Sequence, residues 1–173
     1  VIEGLNPSPE QHKALGAGLA TSGAIALYHM PDVTPEAKMN PHLCKTHQEV
    51  TFGQNKLDDT RKKLGQTSEA DVIFLGCPHT TLDELETIVE TDIENKEVWL
   101  CLARELKEQI NEELLSRLKE KNAKIVCDTC MVVAPLSEMG ISSIGVNSAK
   151  AAHYAPSLAG VKVHFAPVKE LLK

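Results

Sequence analysis

Short apolar runs alternate with stretches of helical character along most of this chain, and no other feature restricts its fold as much. Residues 72–75 (VIFL), 97–103, 124–127, 142–146 and 161–165 read as strands, with two earlier ones expected at 24–30 and 50–54. Ser8-Pro9-Glu10 supplies a capping hydroxyl, a proline at the first helical position and an acid in the first turn. The helix it opens should run to about Ser22-Gly23. Pro35 is expected to start a short helix, residues 38–48 read as a loop, and residues 56–64 read as a helix. Thr80 or Thr81 should cap LDELETIVE, and Ser148 should cap AKAAHYA. Residues 104–122 read as one amphipathic helix, with Leu106, Ile110, Leu114, Leu115 and Leu118 on its apolar stripe. A short amphipathic tail, VKELLK, closes the chain. Strands joined through helices of this length pair in parallel by right-handed crossovers. The expected fold is therefore α/β, a three-layer αβα arrangement around a mostly parallel sheet. Residues 1–173 are expected to form a single domain, a piece of a longer protein.

Composition narrows the function. A hydrophobic fraction of 42% supports a full core, whereas the net charge of −6, with Lys and Arg dispersed, offers no footprint for nucleic acid. Aromatic residues are 3% of the chain, too few to stack bases or sugars. No apolar run approaches the roughly 20 residues that cross a bilayer. Five cysteines, an odd number, with no leader pattern visible, argue against a disulfide framework. Reduced thiols and a cytoplasmic location are the expectation.

In open parallel sheets, ligands bind beyond the carboxyl ends of the strands. The residues just past the expected strands are His29-Met30-Pro31, Gly76-Cys77-Pro78-His79, Cys127-Asp128-Thr129-Cys130 and Asn147-Ser148-Ala149-Lys150. Cys77 and Cys130 each end a strand, where a thiolate could meet a ligand. Cys101 sits between Leu100 and Leu102 and reads as a small buried hydrophobe. His42, Cys44 and His47 offer three metal-ligand side chains in one polar loop, a composition that ordinary loops share. Cys127 and Cys130 form a C-x-x-C that lacks the second pair a zinc site needs. Asn147 and Ser148 read equally as a turn and helix cap or as one side of an anion site. In the second case Lys150 and the free amides of a helix N-terminus would supply the charge. His79, Asp128 and Thr129 have ordinary turn and capping readings as well.

Taken together, ALGAGLATSGAIALYH, VTPEA, FLGCPHTTLDEL, DTCMVVAPL and GVNSAKAAHYAP resemble the catalytic large-subunit region of the aconitase X family. The resemblance implies an aconitase-like fold and a hydro-lyase that uses an iron–sulfur cluster held by cysteine thiolates. It implies Cys77 and Cys130 as cluster ligands, with the third ligand outside this chain and not Cys44, Cys101 or Cys127. It implies His79 near the substrate as a catalytic residue, and Asn147, Ser148 and Lys150 as substrate-binding residues. The implied partner is the small subunit of a dehydratase. The implied substrate is a small hydroxy acid, 5-phosphomevalonate (giving trans-anhydromevalonate 5-phosphate) ahead of cis-3-hydroxy-L-proline. Two readings from other classes stand beside it: a metal- or redox-binding module using Cys127 and Cys130, and a small-molecule binding domain without chemistry.

Overall fold

The computed structural model describes residues 1–45, 48–93 and 96–173. Three helices come first: α1 (Pro9–Gly23), α2 (Pro35–Met39) and α3 (Gln54–Leu64). The α/β part follows, in the order β1 (Val72–Leu75), α4 (Leu82–Glu90), β2 (Val98–Leu102), α5 (Arg104–Gln109), α6 (Glu112–Glu120), β3 (Ala123–Cys127), β4 (Ser143–Val146), α7 (Ala149–Leu158), β5 (Lys162–Phe165) and α8 (Val168–Leu171). Among the described residues the sheet has five strands in the order β3-β2-β1-β4-β5, every pair parallel. The expected αβα architecture is thus present.

Two apolar layers hold the sheet. On one face Ile73, Leu75, Leu100 and Leu102 meet Leu85, Ile88, Leu114 and Leu118 of α4 and α6. On the other, Phe74, Cys101, Ile144 and Val146 meet Ala151, Ala152 and Ala155 of α7, with Met131 and Leu136. Strands buried on both faces read as continuous apolar runs, which is why VIFL and VWLCL were conspicuous in the sequence. Each fully buried Leu or Ile contributes about 1.5–3 kcal/mol of transfer free energy.

Two expected strands are absent. Residues 24–30 form no ladder, and Ile25 and Leu27 are 43% and 71% exposed. Left-handed Ala24 turns the chain out of α1, and Tyr28 packs back on that helix, its hydroxyl 3.0 Å from His12 Nδ1. Both sides of β1 are taken by β2 and β4, so the run finds no partner in the interior of the sheet. Residues 50–54 also form no ladder: Val50 and Phe52 are exposed, and Gly53 is the cap of α3. The single helix expected at 104–122 is two helices. Ile110 adopts an extended ψ of 125°, and the Asn111 side chain accepts from Leu114 N at 2.8 Å, capping α6. An Asn that bonds the backbone ahead of it starts a new helix in preference to continuing the old one. Part of the expected loop at 38–48 is helical, as the end of α2 and a 3₁₀ turn at Pro41–Cys44.

Gly145 in β4 lets Ile73 and Leu171 close over the strand: an added Cβ would sit 2.4 Å from Ile73 Cδ1 and 3.1 Å from Leu171 Cδ2. Gly145→Ala should therefore destabilise by about 1–3 kcal/mol in equilibrium urea unfolding. Gly18→Ala, in the middle of α1 with only Ala149 Cβ at 3.9 Å, should instead stabilise by up to about 1 kcal/mol.

Candidate functional site

The sheet reverses its winding direction between β1 and β4: the chain moves outward from β1 through β2 to β3, and from β4 to β5 on the other side. The crevice beyond the carboxyl ends of such a strand pair is where open α/β sheets bind ligands. Gly76-Cys77-Pro78-His79 leaves β1 there, and Asn147-Ser148 leaves β4 beside it. The segment after β3 reaches the same edge with Asp128-Thr129-Cys130. His29-Met30-Pro31 follows no strand, so that tip does not join the others through the sheet.

Close packing fixes the β1 tip. Gly76 has φ +101°, and an added Cβ would lie 2.1 Å from the Cys101 carbonyl oxygen and 2.7 Å from Thr80 Oγ1. A glycine is required by conformation and by space alike. Thr80 N donates to the Cys101 carbonyl at 2.9 Å, drawing the loop across the end of β2. Thr81, not Thr80, then caps α4, and Glu84 returns the bond to Thr81 N at 2.8 Å. The β3 tip is held separately. Asp128, at φ +56°, accepts from Arg104 N at 3.0 Å and Nε at 2.9 Å, and these bonds hold its carboxyl below the usual range. The two tips meet through His79, whose Nε2 lies 3.2 Å from the Thr129 carbonyl oxygen. A carbonyl only accepts, so Nε2 carries the proton and Nδ1 is the nitrogen left over.

The cysteines separate by face. Cys77 and Cys130 pack against the α7 layer, with Cys101 buried beneath them at 1% exposure. Cys127 packs on the opposite layer, against α4 and α6. The C-x-x-C therefore straddles the sheet, and its two thiols do not form a common donor pair. All five cysteines are free. Burial pushes the Cys77 thiol up, while the Lys150 ammonium and the Ser148 hydroxyl pull it back. Burial and the neighbouring Cys130 and Cys77 push Cys101 to about 11. His47 lies outside the described residues, so the trio of His42, Cys44 and His47 is not described.

Ser148 is buried and caps α7, its Oγ accepting from Ala151 N at 3.2 Å. The Ala149 and Lys150 amides, at the first two helical positions, have no partner within the helix. Between α1 and the β1 and β4 tips lies a cavity of about 320 Å³, lined by Lys13, Cys77, Thr80, Glu84, Asn147 and Ser148 among others. Lys13, Glu84 and Thr80 carried no sequence signal as site residues. Lys13 reaches across 66 positions to the His79 carbonyl, a separation that no local pattern records. Lys150, Ser148, Cys77 and Cys130 are brought together; Asn147 and Ser148 reach the same crevice from β4. Among the described residues no helix is long and apolar enough to cross a membrane.

This environment sets an order of thiol reactivity. At pH 8 in the folded protein, Cys101 should resist alkylation, while Cys77 reacts at a rate that depends on Lys150. Lys150→Ala removes a charge that favours the thiolate, so Cys77 labelling should slow roughly threefold, as read by peptide mass spectrometry.

Models of two aconitase X domains match the chain, the second domain over residues 1–62 and the third over 70–173. The phosphomevalonate dehydratase large subunit of Methanocaldococcus jannaschii is 36% identical over 98% of this chain and 43% of that protein. The cis-3-hydroxy-L-proline dehydratase of Pseudomonas aeruginosa is 33% identical over 95% of this chain and 31% of that protein. The crystal structure of Thermococcus kodakaraensis aconitase X in its holo-form superposes with a TM-score of 0.86 at 28% identity, covering 99% of this chain and 45% of that one. The chain thus spans less than half the length of these relatives. Fold, domain models and sequence identity agree, and the chain belongs to the aconitase X family.

Proposed function

We propose that this chain is the crevice-bearing part of a dehydratase large subunit that removes water from a small hydroxy acid, with 5-phosphomevalonate as the first candidate. The observation that carries the reading is the convergence of Cys77, Cys130, Ser148 and Lys150 at the β1–β4 crevice, in a chain similar to phosphomevalonate dehydratase large subunits. The whole protein would be a hydro-lyase that acts with a small subunit in the cytoplasm, where five free thiols stay reduced.

The donor set suits an iron–sulfur cluster. Cys77 and Cys130 are half-buried, free thiols on one face of the sheet, and Lys150 offsets the charge of a thiolate there. Among the described residues no three Cys, His, Asp or Glu side chains form a metal-binding group, so a further ligand from outside this chain would complete the set. When bound, such a cluster supplies a Lewis acid for a departing hydroxyl.

The chain's own residues bind and orient. The Lys150 ammonium and the free amides at the start of α7 take an anionic end of the substrate, carboxylate or phosphate. Ser148 holds the first turn of α7 in place through its bond to Ala151 N. Asn147 lines the cavity and adds a donor and an acceptor to it. His79 presents Nδ1, because Nε2 is occupied by the Thr129 carbonyl. cis-3-Hydroxy-L-proline is the second reading: Glu10 and Asp83 line the cavity and would suit its ring ammonium.

The test is product formation by the full-length chain, purified anaerobically and mixed with its small subunit, followed by mass spectrometry with each acid supplied. Dehydration of 5-phosphomevalonate is expected; turnover of hydroxyproline alone moves the assignment to the second reading, and turnover of neither contradicts both. Lys150→Ala should raise KM for the phosphorylated acid about tenfold or more, the loss of one charge-assisted bond.

A further inference from the structure

Lys13 lies on α1, in the stretch matched by the second-domain model, yet its ammonium makes its bonds in the third. It donates to the His79 carbonyl at 2.9 Å and pairs with Glu84 Oε2 at 2.5 Å. The same Glu84 oxygen accepts from Thr81 N at 2.8 Å, the cap of α4. The Lys13 and Glu84 side chains are only 24% and 30% exposed, so solvent competes weakly for these bonds. The loop that carries Cys77 is thereby held at two points. Its far end, at His79, is tied to α1 through Lys13, and the imidazole of the same residue is tied to the Thr129 carbonyl, next to Cys130. No other polar side-chain bond among the described residues joins α1 to this loop.

We propose that Lys13 is a positioning residue: its bonds to the His79 carbonyl and Glu84 hold the Gly76–Thr81 loop, and so the direction of the Cys77 thiol and the His79 ring, against α1. The consequence for turnover rests on the dehydratase reading; the consequence for the Cys77 thiol does not. A methionine at position 13 keeps the apolar stem of the lysine and removes its three donors. It also leaves the Glu84 carboxylate without a cation, so Lys13→Met/Glu84→Gln is needed beside it; Gln at 84 still caps α4.

The experiment uses the full-length chain. Freed of metal by chelation, the wild type and variants are alkylated with iodoacetamide at pH 8, and Cys77 is followed by peptide mass spectrometry with Cys44 as the internal reference. Lys13→Met should speed Cys77 labelling at least fivefold, Lys13→Arg should stay within twofold of wild type, and the double variant should behave like Lys13→Met. In the loaded enzyme with its small subunit, Lys13→Met should lower kcat about tenfold and change KM less than threefold. A Cys77 rate within twofold of wild type in a Lys13→Met chain with native circular dichroism overturns the proposal. So does a double variant that returns to the wild-type rate, because the unpaired carboxylate would then be the cause. If Lys13→Met does not fold, the double variant decides alone on the same criteria. If the wild type dehydrates neither acid, the functional reading fails while the alkylation result still decides the role of Lys13.

Discussion

β1 and β4 lie side by side, Val72 opposite Ile144 and Phe74 opposite Val146, although an entire α/β wing separates them in the chain. The rest of the site depends on that pairing. Because β1 leads to β2 and β3 on one side while β4 leads to β5 on the other, the connections diverge and leave a crevice uncovered at the strand ends. Gly145 leaves room for Ile73 and for Leu171 of α8 to pack over the paired strands, and Gly76 lets the β1 tip lie directly on the Cys101 carbonyl. Cys77 and Ser148 face each other only because these two strands are neighbours.

Opposed electrostatic effects meet at that crevice. Burial disfavours a thiolate at Cys77, and the nearby Cys130 adds to the penalty; Lys150 and Ser148 act in the other direction. The balance leaves the free thiol protonated more readily than an exposed one, so a bound metal, not the protein alone, would have to complete its ionisation. Cys101 is more deeply buried and lacks the compensating lysine, and its pKa of about 11 marks it as an inert filler of the α7 layer. Two cysteines close in space thus differ in chemistry through depth of burial, one cation and one helix cap.

Much of this was legible in the sequence for physical reasons. The buried parallel strands announced themselves as apolar runs, and the caps at Ser8, Thr81 and Ser148 used side chains whose bonds are local. The strand tips could be grouped because parallel strands all end on one edge. The failures share a cause as well. Residues 24–30 have the composition of a strand, but β1 at the centre of the sheet is paired on both sides and Tyr28 anchors the run to α1, so it joins no strand. Ile110 keeps the helical period while Asn111 breaks the helix, since capping outweighs a single apolar position. The division of Cys127 and Cys130 between two faces, and the reach of Lys13 to His79, arise from packing across the fold and leave no mark on neighbouring residues.

The proposed function depends on Cys77 serving as a metal-binding thiolate at the β1–β4 crevice. The most direct measurement is iron and acid-labile sulfide in the anaerobically purified full-length chain, wild type against Cys77→Ala, with Cys127→Ala as the control on the opposite face. Iron and sulfide present in the wild type, lost in Cys77→Ala and retained in Cys127→Ala is the predicted result. Iron and sulfide unchanged by Cys77→Ala, or lost only in Cys127→Ala, would contradict it and move the metal site to the other side of the sheet.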